Sequence, residues 1–64
     1  MTTIERKRFA RVVRSYREEK DLTQNELASL VSTTSNTVAR WERGETVPKN
    51  QLMVKRLKEI GIAL

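Results

Sequence analysis

Thr23 to Gly44, TQNELASLVSTTSNTVARWERG, reads as two short helices separated by a tight break. The first opens on a capping box, in which the Thr23 hydroxyl accepts from the backbone N–H of Glu26 and the Glu26 side chain reaches back to the cap. Leu22, just ahead of the cap, is placed to pack on Leu27 as a hydrophobic staple. Leu27, Ala28 and Val31 then face inward, with Leu30 at the edge. Ala28 is small and lets another helix come close. Ser32, Thr33 and Thr34 form the break. Thr34 is the expected N-cap of the second helix, with Thr37 at its third position, a weaker cap than the first because Thr37 lacks the reach of Glu or Gln. That helix runs from Ser35 to Arg43. Val38 and Trp41 make its apolar side, while Ser35, Asn36, Ala39, Arg40 and Arg43 make its polar side. Gly44 ends it as a left-handed residue.

Upstream, Thr3 to Lys20 reads as a helix. Phe9, Val12, Val13 and Tyr16 recur at i, i+3, i+4 and i+7, which is one helical face. Thr2 or Thr3 is placed to cap it, and Glu5 suits its first turn. Asp21 is expected to stop it, because Asp tolerates the left-handed conformation better than most residues. Downstream, Glu45 to Lys49 is a loop that Pro48 keeps from being helical. Asn50 is expected to cap a last helix, Gln51 to Ile60, with Leu52, Met53, Leu57 and Ile60 inward or at an edge. Gly61 ends it, and Ile62 and Leu57 stand at the positions of the hydrophobic pair of a Schellman turn. No stretch alternates as a strand would.

These elements fit one all-helical domain over residues 1–64, with the two-helix unit at about 23–43. A chain of 64 residues buries only about 60% of its unfolded surface, so its core must be economical. Cysteine and histidine are both absent. That removes disulfides, thiolate metal sites, the commonest metal ligand and the commonest general base. No apolar run approaches the ~20 residues of a membrane span, and no signal peptide follows Met1. Thirteen Lys and Arg oppose eight Asp and Glu, a net charge of +5 with a pI near 10.3. Arg6, Lys7, Arg8, Arg11, Arg14 and Arg17 fall in a twelve-residue run without an acid. At about 100° per residue, Arg6 and Arg17 border the apolar face, Lys7 and Arg14 lie further round the same side, and Arg11 points nearly opposite the core. Such charge suits a polyanion, although it also serves solubility.

Catalysis is not expected. The usual nucleophile–base arrangements cannot be built, and no Gly-rich phosphate loop or metal-ligand spacing is present. No cofactor, metal or small-molecule substrate is implied. Two helices joined by a short turn describe a helix-turn-helix, whose second helix lies in the major groove. Thr34, Ser35 and Asn36 then reach base edges first. Asn pairs with adenine in a bidentate fashion, and Ser or Thr serves either base type. Arg40, four residues after Asn36, reaches guanine or a phosphate. The plain alternative is that Ser35 and Asn36 are ordinary first-turn polar residues. Gln24 and Asn25 open the preceding helix, where an anion is favoured. Arg43 and Lys49 flank the following loop and can clamp the backbone or simply be solvated. Trp41 falls on the inward face and reads as core rather than as a stacking platform.

Leu22-Thr-Gln-x-Glu-Leu-Ala28, then Thr37-Val-x-Arg-Trp-Glu-Arg-Gly44, Pro48 and the Gly61-Ile62 ending resemble the Cro/repressor (XRE-like) helix-turn-helix family. Phe9, Val13, Tyr16 and Arg17 fit as well, so the resemblance covers nearly the whole chain. It implies a compact bundle, usually of five helices, that binds operator DNA, commonly as a homodimer on a palindrome. By position it implies base reading by Thr34, Ser35, Asn36 and Arg40, and phosphate contacts by Gln24, Arg43 and Lys49. Arg17 and Glu42 match a pair that bridges the first helix to the end of the reading helix. The chain departs from the family at Ser32 and Asp21, where Gly is frequent. If Ser32 keeps a positive φ, it carries about 1 kcal/mol of strain. The usual fifth helix has no counterpart here, so the expected fold is a four-helix, or at most five-helix, bundle.

The reading is therefore a sequence-specific DNA-binding transcription regulator of the repressor type. Its expected partner is double-stranded operator DNA, and its expected place is the cytoplasm of a prokaryotic or phage-infected cell. The alternative is a helix-turn-helix that binds protein, as an antitoxin, antirepressor or regulatory subunit, using an exposed apolar end at Ile60, Ile62 and Leu64. A membrane-surface role is not expected, because the basic first helix lacks a strong apolar face bearing Trp.

Overall fold

The computed structural model describes residues 3–62, and side chains from residue 5. Among them are four helices and no strand: α1 (Thr3–Glu19), α2 (Gln24–Leu30), α3 (Ser35–Glu42) and α4 (Gln51–Glu59). The expected helix ends are each met to within one residue. The cap expected at Thr2 or Thr3 lies outside the described side chains.

Local chemistry accounts for the starts. At α2 the Thr23 hydroxyl accepts from the Glu26 N–H at 3.0 Å, and the Thr23 N–H donates to Glu26 Oε1 at 2.8 Å, closing the capping box. Thr34 Oγ1 accepts from the Thr37 N–H at a looser 3.3 Å. Asn50 Oδ1 accepts from the N–H groups of Leu52 and Met53 at 2.7 and 3.4 Å.

The stops share one device. Each helix ends in a Schellman turn, with the 6→1 bond running from Leu22 N–H to Arg17 O, Thr33 N–H to Ala28 O, Glu45 N–H to Arg40 O, and Ile62 N–H to Leu57 O, all at 2.9–3.0 Å. That turn needs one left-handed residue at its corner. The four corners are Asp21 (φ 55°), Ser32 (φ 59°), Gly44 (φ 74°) and Gly61 (φ 103°). Two of the four carry a side chain, and Ser32 lacks the tolerance of Asp for this region. Replacing Ser32 with Gly is expected to stabilise the domain by a little under 1 kcal/mol, the relieved strain less the extra freedom Gly gives the unfolded chain. A rise of a few degrees in the melting midpoint would show it; a fall would place the cost elsewhere.

The core is Phe9, Val13, Leu27, Ala28, Val31, Val38, Trp41, Val47, Leu57 and Ile62, with Val12, Tyr16, Met53 and Ile60 packed around it. Trp41 is in this core as expected, edge-on to Phe9 with ring centroids 5.6 Å apart. The C-terminal expectation is corrected in part. Ile62 is only 2% exposed, because the Schellman turn folds it back, and Ile60 is half-buried. No exposed apolar end exists there among the described residues; Leu64 lies outside them. Tyr16 ties this corner down by donating its hydroxyl proton to Ile60 O at 2.8 Å. Leu52 is also corrected: it is 53% exposed, because Met53, Leu57 and Ile60 form the buried face of α4.

Candidate nucleic-acid interface

α3 packs its Val38–Trp41 side against α1 and α2, which leaves the opposite side to solvent. Ser35, Asn36 and Arg40 are all exposed, as are Thr34 before them and Arg43 after them. The structure thus brings the expected readers Thr34, Ser35, Asn36 and Arg40 onto one accessible face. Their roles differ in freedom. The Thr34 hydroxyl is already engaged as an acceptor by the cap, and it lies 3.1 Å from the Thr37 hydroxyl. Among the described residues Ser35 and Asn36 have no such partner, and they suit base edges better.

What holds this face in position is the pairing of Arg17 with Glu42. Arg17 Nε donates to Glu42 Oε2 at 2.7 Å and Nη2 donates to Oε1 at 3.0 Å, a two-pronged fork. Its third nitrogen donates to Leu22 O at 3.0 Å. One side chain therefore ties the end of α1, the entry to α2 and the end of α3. The Glu42 side chain is 2% exposed and that of Arg17 is 21% exposed. Burial pushes the Glu42 carboxyl up, but the hydrogen bond and charge of Arg17, the Gln24 amide and the Arg14 charge outweigh it, so Glu42 titrates below the ordinary glutamate range. The hydrogen bond that Arg17 donates to the Glu42 carboxylate in turn raises the Arg17 guanidinium, against the opposing effect of burial.

Gln24, expected at a phosphate, is half-buried, and its amide donates to Glu42 Oε1 at 3.4 Å. Asn25 beside it is exposed, as is Lys49. Lys49 lines a polar recess with Arg6, Glu45, Thr46 and Val47. The ion pairs of two residues escaped the sequence reading. Arg14 brings its Nε within 3.6 Å of Glu42 Oε1. Its position three residues before Arg17, on the same helical side, was the available signal. Glu45 faces both arginines of the expected interface: Arg43 Nε donates to Oε2, and Arg40 Nε stands 3.7 Å from Oε1. The Schellman turn at Gly44 places Glu45 beside Arg40, where a hydrophobic pair would otherwise sit. The hydrogen bond from Arg43, with the charges of Arg43 and Arg40, outweighs a small desolvation and holds Glu45 below the usual carboxylate range.

Glu45 therefore competes with any phosphate for Arg43. Glu45→Gln is expected to tighten binding to duplex DNA irrespective of its sequence, because Arg43 no longer has to leave a carboxylate for a phosphate. Anisotropy titrations would measure it, and an unchanged affinity would remove Arg43 from the expected phosphate contacts.

Among the described residues no group of His, Cys, Asp and Glu is placed to hold a metal ion, and no helix is long and apolar enough to cross a membrane.

Comparison with known proteins adds a family. A family model described as a helix-turn-helix domain matches residues 8–58. The chain is similar to multiprotein-bridging factor 1 of Candida albicans, at 35% identity over 54 residues. It is 35% identical to the endothelial differentiation-related factor 1 homolog of Danio rerio and 33% identical to human endothelial differentiation-related factor 1 over the same length. Each match covers 84% of this chain, whereas the chain spans only 36–37% of those relatives. No solved structure matches the chain.

Proposed function

The chain belongs to the family of helix-turn-helix domains, and from there we propose that it is a sequence-specific, DNA-binding transcription regulator that acts as a repressor. α3 enters the major groove, Ser35, Asn36 and Arg40 meet base edges, and Gln24, Asn25, Arg43 and Lys49 meet phosphates. Bound protein then blocks polymerase sterically; it is a binder and not an enzyme, works in the cytoplasm where the DNA is, and takes a palindromic operator as a homodimer. The observation that supports this reading best is the exposed polar side of α3 braced from behind by the Arg17–Glu42 fork. A basic chain of net charge +5 suits the partner.

A second reading, a protein-binding helix-turn-helix, draws on the name of the Candida relative, a multiprotein-bridging factor, and on the exposed Leu30 and Leu52. Selection from random duplexes followed by a salt titration separates the two. The regulator enriches a defined sequence and loses affinity with a log–log slope of about −2 to −3 per bound protomer, as two or three cationic contacts on each require. No enriched sequence and a flat slope would favour the protein-binding reading.

A further inference from the structure

Arg40 is exposed on the outward side of α3, and what it can read depends on how its guanidinium is aimed. A guanidinium carries its N–H donors in one plane and offers two forks, one on the Nε side and one at the tip, where the two Nη groups lie. Left to itself, so long a side chain has many rotamers and must be ordered when it binds, at a cost in affinity. The chain supplies an aim. After α3, Gly44 takes φ 74° and the next N–H, that of Glu45, donates to Arg40 O at 3.0 Å. The backbone thus sets Glu45 beside Arg40. The Glu45 carboxylate then spans two arginines with one oxygen for each: Arg43 Nε donates to Oε2, and Arg40 Nε stands 3.7 Å from Oε1.

Stability gives little reason for this arrangement. The side chains of Arg40, Arg43 and Glu45 are 50%, 53% and 47% exposed, and ion pairs between groups all so exposed contribute little. Geometry gives a better one. Arg43 anchors the carboxylate from one side, so its other oxygen is a fixed negative point on the Nε side of Arg40. That side is occupied, and the fork at the tip is left for a ligand. We propose that Glu45 is a positioning residue for base recognition: it holds Arg40 by the Nε side, so that the guanidinium meets guanine O6 and N7 tip first. This rests on the regulator reading above. Glu45 touches no base itself. Its two oxygens have separable effects: the hold on Arg43 weakens binding to any duplex, and the hold on Arg40 favours one base pair over the others.

The test uses the duplex obtained by selection and its single-base-pair variants. The pair that Arg40 reads is the one at which Arg40→Ala loses the wild-type preference. At that pair, the ratio of affinities for the selected and the substituted duplex is expected to fall about two- to fivefold in Glu45→Gln, the scale of an exposed ion pair. The general tightening through Arg43 is common to both duplexes and cancels in the ratio. In an Arg40→Ala background, Glu45→Gln is expected to leave the ratio where it was. The melting midpoint of Glu45→Gln is expected to stay at the wild-type value; a fall of several degrees would make Glu45 structural and overturn the proposal. A wild-type ratio in Glu45→Gln would also overturn it, as would the same fall in both backgrounds, which would make Glu45 a reader in its own right. If Arg40→Ala keeps every wild-type preference, Arg40 is not a reader and the proposal falls. If the wild-type protein prefers no sequence at all, the regulator reading fails first and takes this aiming role with it.

Discussion

Arg17→Leu is expected to destabilise the domain by about 3 kcal/mol, because it strands the buried Glu42 carboxylate. Among the described residues, Gln24 at 3.4 Å and the more distant, exposed Arg14 remain near it. At about 4–8 °C per kcal/mol for a small domain, the melting midpoint falls by more than 10 °C. The reverse change, Glu42→Gln, is expected to cost less. Arg17 is more exposed than Glu42 and keeps its bond to Leu22 O, so its charge is not stranded. This asymmetry is the informative result; equal costs would mean that the pair is solvated in solution. The pH dependence follows from the same site. The Glu42 carboxyl titrates lower in the folded protein than in the unfolded chain. Its contribution is fully present above the unfolded value of about 4.3 and is lost as pH falls through the lower folded value. Acid melting curves of the wild type should steepen in that window, and Glu42→Gln should lose that part of the slope.

Asn36→Ala is expected to cost about 1–3 kcal/mol on the selected duplex and to relax preference at one base pair. Asn36 is exposed on the first turn of α3, and among the described residues its side-chain amide has no hydrogen-bond partner, which suits it to adenine. Binding to a scrambled duplex should barely change. An equal loss on both duplexes would strike Asn36 from the readers and leave it as an ordinary helix-opening residue.

Much of the architecture was legible because it is local. The capping box at Thr23 and the Asn50 cap each depend on residues within three positions. Asp21, Gly44 and Gly61 announce left-handed corners by residue type; Ser32 does not, and its corner was anticipated only through the family pattern. The long-range contacts were another matter. Arg17 and Glu42 are separated by 25 residues, and no periodicity links them; the resemblance supplied that pair. The partners of Arg14 and Glu45 were missed because an exposed charge leaves no trace in a hydrophobic pattern. Ile62 had been placed correctly in a Schellman turn and also assigned to an exposed end. The turn itself turns it inward, and burial at 2% settles which consequence holds.

The most direct measurement is a backbone amide NMR titration of the labelled protein with the selected duplex. The largest shifts are expected on residues 34–43, with a second group at Gln24 and Asn25, while the Tyr16–Gly61 side stays quiet. Shifts concentrated on the Tyr16–Gly61 side, or around Leu30 and Leu52 with α3 unaffected, would contradict the regulator reading.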